Sequence, residues 1–377
     1  MKPADESPLV YSTSAVSLYG TERVTIDTLE AFADERPVVM VAPPGPAVEL
    51  ARSKGITTYT YSNLLVKWWL LFRLSWRAPA MHLITVSVVD SYLYLLARLL
   101  QGRSPRHLHV IHGSGYPETS YVSKRYLKHL PVDVVAVSQY AKETLCGYSG
   151  LDPDKVGVIE NFVGEALMSV VQPRPSYSDG GKIAKLIVIS RLEPPKRVDL
   201  LLDSIEQYPQ AWKGLSVEIF GHGPDLESLM ARASLLGPDS VALTFHGFVP
   251  DVTSRLPGFD LMLNFSPVEA FGIVYLEAMA ARVLVLGPDR GSGVIEPGRT
   301  GLQFGADDPK SLADSIQKIR DLDNAEINRL VGAAFAELQT RFSTSRALAE
   351  YRSALEGKVP NTKGRTAIVP TDRGAGP

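Results

Sequence analysis

The sequence predicts an α/β protein built from two doubly wound domains that face each other across a cleft. Short apolar runs alternate with helical patterns along most of the 377 residues, as in parallel β-sheets covered by helices. Both halves of the chain show this rhythm, and the length suits about two domains. Residues 170–181, rich in proline, glycine and polar side chains, separate the halves and have the composition of an exposed linker.

Ten apolar runs are predicted to be strands. In the first half they are Leu9–Tyr11, Pro37–Val41, Leu83–Val88, His107–Ile111 and Val132–Val137. In the second half they are Leu186–Ile189, Val217–Phe220, Leu243–His246, Leu261–Asn264 and Val283–Leu286. Helical patterns lie between most of these runs. Because ligands of such sheets bind at the carboxyl ends of the strands, functional residues are expected there.

The composition excludes several classes of protein. Apolar residues make up 45% and charged residues 21% of the chain, which is ordinary for a protein with a buried core and not for a disordered chain or a coiled coil. The net charge of −2 gives no overall basic signal, so nucleic acid is not an expected partner. The single cysteine, Cys146, excludes a disulfide framework and a multi-cysteine zinc site, and it fits a reducing compartment.

The ends of the chain and its hydropathy predict where the protein is located and whether it has a disordered tail. The N-terminal segment MKPADESPLVYSTSAV has acids and prolines where a signal peptide needs an uninterrupted apolar run. No uncharged apolar stretch has the roughly 18 residues that a transmembrane helix needs. Residues 357–377 show no periodicity and are predicted to be a disordered tail. The sequence therefore predicts a soluble, cytoplasmic protein.

The strongest chemical signal is the segment SPVEAFGIVYLEAMAA, residues 266–281. Glu269 follows a predicted strand, a helix is expected to begin near Phe271, and Glu277 lies two turns further on, beside an apolar stripe. Free amides at that helix N-terminus would suit a phosphate or sugar oxygen. From the residues alone, two solvated surface carboxylates are an alternative.

Residues 266–304 resemble the signature region of the retaining glycosyltransferases of the GT-B fold, family 4. That family has the pattern E-x-F-G-x-x-x-x-E-A-M-A, then G-G-x-x-E and a d-g-x-x-G turn. The corresponding residues here are Glu269 and Glu277, Ser292–Glu296 and Gly298–Gly301. One departure is the family's A-x-G-x-P-V run, which is replaced by Ala-Arg-Val-Leu-Val over residues 281–285.

A second segment, SRLEPPKRVDLLLDSI at residues 190–205, resembles the family's G-R-L-x-x-x-K-G segment. Arg191 and Lys196 match its two basic residues, while Ser190 and Arg197 replace the flanking glycines. Two cations there would neutralise the charge that develops on a leaving diphosphate. Taken alone, an arginine and a lysine in a loop are more often surface charges.

Two further segments of the second half, residues 220–229 and 245–250, match the family as well. The first contains Gly221-His222-Gly223 after a predicted strand, but it lacks the third glycine and the later acid of a dinucleotide fingerprint. We therefore do not interpret it as one.

The N-terminal half resembles the family more loosely. Residues 18–32 resemble its first loop and helix, with only Gly20 kept of two glycines. Residues 110–117 place His112 at a strand end, where family members often hold a histidine near the reacting sugar; a purely structural histidine is the alternative. Residues 132–145 and 155–163 resemble the segments that close the N-terminal domain, and residues 341–355 resemble a terminal helix that crosses back to it.

The resemblance implies a domain organisation. The implied parts are an acceptor-binding domain over 1–169, the linker over 170–181, a nucleotide-sugar-binding domain over 182–342, the terminal helix over 343–356 and the tail over 357–377. Both domains are expected to be Rossmann-like, as in the GT-B fold.

The resemblance also implies an activity: transfer of a sugar from a UDP- or GDP-linked donor to a hydroxyl acceptor, with retention of configuration. The expected acceptor is a lipid-linked, cell-envelope or exopolysaccharide glycan precursor. The implied catalytic residues are Glu269, Lys196, Arg191 and His112. The implied donor-binding residues are Gly20, Arg191, Lys196, Val249, Glu269, Phe271, Gly272, Ile273 and Glu277. Neither a cofactor nor a metal is expected, because two cations can neutralise the diphosphate. A sugar-nucleotide 2-epimerase and a catalytically silent nucleotide-sugar-binding module are the alternatives.

One segment, NLLVKWWLLFRLSWR at residues 63–77, is not explained by the donor site. It lies in a basic stretch, between Arg36 and Lys128, which has twelve Lys and Arg against three acids. The candidate membrane-contact residues are Lys67, Trp68, Trp69, Arg73, Trp76 and Arg77. They predict contact with an anionic membrane surface, a lipid-linked acceptor and a peripheral position on the inner face of a membrane. A core helix whose cations reach the solvent is the alternative.

Overall fold

The computed structural model describes residues 7–14, 18–113, 116–171, 173–177, 183–237 and 241–360. The chain forms two compact units: the first contains the described residues up to 164 and those from 343 onward, and the second contains those from 165 to 342. The predicted linker falls partly, and the predicted tail mostly, outside the described residues.

The strands form two sheets that are parallel throughout. The first sheet contains Leu9–Ser12 (β1), Val38–Ala42 (β2), Thr57–Thr60 (β3), His82–Thr85 (β4), His107–Ile111 (β5), Asp133–Ala136 (β6) and Val156–Val158 (β7). The second contains Lys185–Ile189 (β8), Ser216–Phe220 (β9), Ala242–Gly247 (β10), Leu261–Leu263 (β11), Leu284–Pro288 (β12) and Leu302–Phe304 (β13).

Helices connect most of these strands. They are Gly20–Phe32 (α1), Pro46–Ser53 (α2), Leu64–Arg77 (α3), Val88–Leu100 (α4), Pro117–Ser120 (α5), Gln139–Ser149 (α6), Glu165–Val170 (α7), Asp199–Gln207 (α8), Pro209–Trp212 (α9), Leu226–Ala233 (α10), Ile273–Ala280 (α11), Pro309–Arg320 (α12), Asn324–Thr340 (α13) and Thr344–Leu355 (α14). Several begin at a side-chain cap: the oxygens of Asn63, Ser138 and Asp323 accept backbone N–H groups at the starts of α3, α6 and α13.

The strand order explains where ligands bind. The first sheet has the order β3-β2-β1-β4-β5-β6-β7 and the second the order β10-β9-β8-β11-β12-β13. In each sheet the order reverses beside the first strand, between β1 and β4 and between β8 and β11. Loops diverge at such a switch point and leave room at the carboxyl ends of the strands. The two parallel sheets, each with a switch point, confirm the prediction of two Rossmann-like domains.

Most predicted strands are confirmed to within one or two residues, and most of these are buried apolar runs. β10 is the exception, because its residues alternate between exposed and partly buried. The strand predicted over Leu83–Val88 is wrong at its end: β4 stops at Thr85, and Val88 begins α4. Three strands were not predicted. β3 is polar and mostly exposed at the sheet edge, while β7 and β13 have only three residues each.

Both faces of the second sheet are buried. On one face the fully buried side chains are Leu186 of β8 and Leu261 of β11, which belong to one cluster with Leu201 of α8 and Leu312 of α12. The alternate residues Ile187 and Met262 point to the other face and are also fully buried. Trp212 is also buried and donates its indole N–H to Ser204 Oγ at 3.1 Å. Burial on both faces explains why these strands read as continuous apolar runs rather than alternating ones.

Candidate functional site

In the second unit, a lysine in the loop after one strand of the switch point contacts a glutamate in the loop after the other strand. Lys196 ends a short 3₁₀ turn after β8, and Glu269 lies in the loop after β11. The Lys196 Nζ and Glu269 Oε2 atoms are 2.7 Å apart, and the side chains are 15% and 18% exposed. Ser266 Oγ also donates to the Pro195 carbonyl at 3.1 Å, so the two loops are held together.

The backbone beside Glu269 depends on Gly272. Its φ is +80°, in the left-handed region that favours glycine, and α11 begins only at the next residue. A Cβ at position 272 would lie 2.6 Å from Tyr275 Cδ2 and 3.0 Å from Glu269 Cγ. The helix predicted to begin near Phe271 begins two residues later, at Ile273, because the glycine turn precedes it.

The helix α11 is buried on nearly every side. Residues 275 to 280 are all buried, Glu277 among them at 5% exposed, so a solvated Glu277 is excluded. An apolar stripe on one face, as predicted, does not describe this helix, because residues on all of its sides are buried. Ile273, at its start, is partly exposed. Burial, and then the charge of Glu269, raises the pKa of Tyr275 well above its ordinary value. A protonated phenol therefore stands near the Glu269 carboxylate.

Phe271 is held by aromatic packing and by its backbone. Its ring is buried and meets the Phe342 ring edge-on, with 5.8 Å between centroids. Its carbonyl accepts from Ser292 Oγ at 2.7 Å, which joins the loop before α11 to the loop after β12. The predicted donor-binding segment is thus fixed by a neighbouring loop as well as by its own helix.

The structure brings Arg191 to a different carboxylate. Its guanidinium pairs with Glu193, 2.9 Å away, and its side chain is 42% exposed. The two predicted cations therefore differ: Lys196 contacts Glu269, and Arg191 contacts an acid in its own loop. Both follow β8 at the carboxyl edge of the sheet.

The Gly-His-Gly segment packs against the loop that holds Arg191. A Cβ on Gly221, whose φ is +149°, would overlap the Ser190 carbonyl oxygen, and one on Gly223 would overlap that of Leu192. These glycines allow close backbone contact and do not form a dinucleotide fingerprint. Val249 follows β10, is partly buried, and lies at the same edge of the sheet.

In the first unit, His112 follows β5 and lines a cavity of about 650 Å³. Its Nε2 is 3.1 Å from the hydroxyl of the buried Tyr11. Burial, and then the charge of Lys124, lowers the pKa of His112 to about 4. The imidazole is therefore neutral at pH 7. Gly20, the first residue of α1, is exposed.

Lys124 is a cavity residue that the sequence analysis missed. It lies in the 3₁₀ segment Val122–His129, and its ammonium donates to the Val86 carbonyl at 2.6 Å and to His109 Nε2 at 3.0 Å. Nothing in the sequence distinguished it, because a lysine beside Arg125 in a polar segment has the appearance of a surface charge.

The prediction of membrane contact is wrong for Lys67. Lys67 is fully buried, and its Nζ lies 2.5 Å from Oδ1 of the buried Asp90 on α4. Trp68 is partly buried and packs on Phe72, with 5.5 Å between ring centroids. The other four candidates on α3 are exposed: Trp69, Arg73, Trp76 and Arg77. Within the described residues, no helix combines the length and the apolar character needed to cross a bilayer.

Comparison with known proteins matches both halves of the chain to glycosyltransferase families. The family model described as glycosyl transferases group 1 matches residues 184–321, and the one described as glycosyltransferase family 4 matches residues 19–166. The chain is 33% identical to a phosphatidylinositol N-acetylglucosaminyltransferase subunit of Arabidopsis thaliana, over 55% of this chain and 42% of that protein. It is 28% identical to N-acetyl-alpha-D-glucosaminyl L-malate synthase of Bacillus anthracis, over 53% and 54%. The matches thus span about half of these relatives' lengths.

Solved structures share the fold at low sequence identity. Anabaena HepE in complex with UDP-glucose superposes with a TM-score of 0.77 and 18% identity, covering 93% of this chain and 99% of that one. A glycosyltransferase from Rickettsia africae gives a TM-score of 0.75 and 18% identity, with 95% and 100% covered. With the two family models, these findings show that the chain belongs to the group 1 / family 4 glycosyltransferases, with the GT-B fold.

Proposed function

We propose that this protein is a retaining glycosyltransferase that moves a sugar from a nucleotide-sugar, bound by the second unit, to a hydroxyl group of an acceptor bound by the first. The observation that carries the proposal is the Lys196–Glu269 pair at the switch point of the second sheet. A sugar phosphate presents an anionic phosphate directly beside hydroxyl donors. An ammonium and a carboxylate 2.7 Å apart offer the complementary groups side by side.

The role of Lys196 follows from the charge that develops in the reaction. When the bond between the sugar and the diphosphate breaks, negative charge grows on the leaving phosphate, and a fixed ammonium stabilises it. Such a preorganised group is worth about 2.7–4 kcal/mol in the transition state. Glu269 would orient hydroxyls of the donor sugar, and the buried Glu277 would accept from the ribose. Arg191 is the candidate second cation. The retaining course rests on the family resemblance.

Names of relatives guide the choice of donor. A Mycobacterium tuberculosis relative is named a GDP-mannose-dependent phosphatidylinositol monomannoside mannosyltransferase, and the Anabaena HepE structure holds UDP-glucose. We therefore propose a UDP- or GDP-linked donor. Relatives are also named for acceptors that carry a phosphate or carboxylate group, namely phosphatidylinositol, L-malate and D-inositol 3-phosphate.

An exposed apolar face supports a lipid-linked acceptor and a peripheral position on the cytoplasmic face of a membrane. α3 and α4 pack against each other in the first unit. Their outward side chains, here called the α3–α4 face, include Leu65, Trp69, Trp76, Leu96, Leu99 and Leu100, which are 47–78% exposed. Arg73 and Arg77 are exposed on α3, and the one acid of these two helices, Asp90, is buried. An apolar face edged by cations and lacking exposed acids suits an anionic bilayer surface.

Thermal stabilisation by nucleotide-sugars tests the proposed donor site. A ligand that binds only the folded state stabilises it by about 2.7 kcal/mol at one hundred times its Kd. We expect one of a panel of UDP-, GDP- and ADP-sugars to raise the melting temperature of the wild type and of Lys213→Ala, an exposed lysine of the second unit. No shift with any donor would contradict the proposal.

Product analysis separates the alternatives. A transferase releases nucleoside diphosphate when an acceptor extract is added. A 2-epimerase would instead convert a UDP-sugar without an acceptor, and a silent module would bind the donor and leave it unchanged.

A further inference from the structure

The cavity of the first unit lies at the switch point of the first sheet. Its walls come from the residues that follow β1, β4 and β5, together with α1, α4 and the Val122–His129 segment. Six of the lining side chains are small and bear hydroxyls: Thr13, Ser14, Thr21, Ser87, Ser120 and Ser123. A concave site of about 650 Å³ at this position is where a doubly wound sheet binds its ligand.

Lys124 brings a positive charge to this cavity. Its ammonium has three N–H donors, and two are used by the Val86 carbonyl and by His109 Nε2. Because an ammonium only donates, His109 accepts at Nε2, and its proton lies on Nδ1, which is 3.0 Å from Ser91 Oγ. The third N–H of Lys124 has no partner among the described residues, and Lys124 lines the cavity.

The groups around this ammonium do not neutralise it. Burial lowers the pKa of Lys124 to about 8, so most of the ammonium keeps its charge at pH 7. Burial also lowers the pKa of His109 well below its ordinary value, so this partner is neutral. The nearby Asp90 is paired with Lys67, and the Glu22 carboxylate, at the cavity wall, accepts from the Tyr19 N–H at 3.0 Å. Among the described residues, no carboxylate lies within ion-pair distance of Lys124.

We propose that this cavity binds a phosphate group of the acceptor, held by the Lys124 ammonium and by the surrounding hydroxyls. A cation turned inward without a counter-ion is costly, and a bound anion removes that cost. A phosphate offers several acceptor oxygens, which match one ammonium and a ring of hydroxyl donors. That the phosphate belongs to the acceptor rests on the proposed function. The phosphate belongs either to a soluble phosphate ester or to a lipid headgroup.

Calorimetric titration with inorganic phosphate at constant ionic strength tests the site. We expect Lys124→Gln to weaken binding about tenfold or more, as for loss of a hydrogen bond to a charged group. The control Lys128→Gln, which changes an exposed lysine of the same 3₁₀ segment, should bind as the wild type does. Phosphate held in the second unit would instead be lost in Lys196→Ala, which removes the phosphate-binding candidate of that unit. If Lys124→Gln does not fold, Lys124→Arg keeps the charge and should retain binding.

A short-chain phosphatidic acid, dihexanoyl phosphatidic acid, identifies the source of the phosphate. Val89 and Tyr92 of α4 line the cavity and are each 45% exposed, so the cavity opens beside the α3–α4 face. Tighter binding of this lipid than of phosphate, with the gain lost in Tyr92→Ser, supports the site and assigns a lipid headgroup. Equal binding supports the site and assigns a soluble ester.

One result would overturn the proposal: phosphate binding that is unchanged in Lys124→Gln, whether or not it is lost in Lys196→Ala. The donor panel is a separate measurement on the wild type. Phosphate binding that depends on Lys124, with no nucleotide-sugar bound, would leave this site standing and contradict the glycosyltransferase proposal alone.

Discussion

Lys196 and Glu269 form an ion pair that joins the loops after two neighbouring strands, β8 and β11, with 2.7 Å between Nζ and Oε2. The residues are 73 positions apart in sequence, and the strand order of the sheet brings them together. Both side chains are mostly buried but retain some exposure. A ligand with an anionic group can therefore reach the ammonium, which a fully enclosed pair would prevent.

Gly272→Ala is expected to lower both activity and stability. The added methyl group would collide with Tyr275 and press on Glu269, and a φ of +80° costs about 1–3 kcal/mol for a residue with a side chain. Gly214→Ala is the matched control, because Gly214 has a φ of +75° and no atom within 4 Å of an added Cβ. Urea unfolding and turnover should show the conformational cost in both variants and loss of turnover only in Gly272→Ala. Equal turnover in the two would separate Gly272 from the site.

Asp90→Ala is expected to destabilise the protein by about 3–5 kcal/mol, since it leaves the Lys67 ammonium buried without its counter-ion. The comparison is Asp314→Ala, which breaks the exposed Lys310–Asp314 pair of α12 and should cost about 0.5 kcal/mol or less. Urea denaturation measures both. A loss at Asp90 as small as that at Asp314 would mean that Lys67 reaches solvent, as its place among tryptophans and arginines in the sequence suggests.

Acid is expected to destabilise the first unit between pH 6.5 and about 4. Burial lowers the pKa of His107 to about 3 and that of His112 to about 4, so the unfolded chain takes up protons in this range before the folded one does. Asp27 opposes the effect, because burial raises its pKa to about 6. His107→Gln should lose less stability than the wild type between pH 7.5 and 5, by about 2 kcal/mol. Parallel losses measured by urea unfolding would contradict a buried, neutral His107.

Vesicle flotation tests the α3–α4 face. The wild type should float with anionic liposomes at low salt, since each engaged cation contributes about 1 kcal/mol. The variant Trp69→Ser/Trp76→Ser/Arg73→Glu/Arg77→Glu should stay at the bottom, and Leu235→Ser, an 85% exposed residue of the second unit, should float. A wild type that never floats would exclude membrane contact, while leaving the donor site unaffected.

Apolar runs predicted most of the fold because buried parallel strands need continuous apolar side chains. Arg197 stands where the related family has glycine, and its φ is +50°, in the left-handed region that favours glycine. The guanidinium of Arg197 forms ion pairs with Asp199 and Asp307, and these offset the free-energy cost of that conformation. The sequence could not show which cations turn inward, because the partner of Lys67 lies on another helix and Lys124 is held by a strand-end carbonyl and a histidine.

Sugar transfer by the wild type and Lys196→Ala tests the central claim most directly. Nucleoside diphosphate release is measured with the donor that stabilises the protein and an acceptor extract. The account predicts turnover in the wild type and in Lys213→Ala, and turnover about 100- to 1000-fold lower in Lys196→Ala, with a much smaller change in KM for the donor. Undiminished turnover in Lys196→Ala, or no nucleoside diphosphate released by the wild type with any donor, would contradict it.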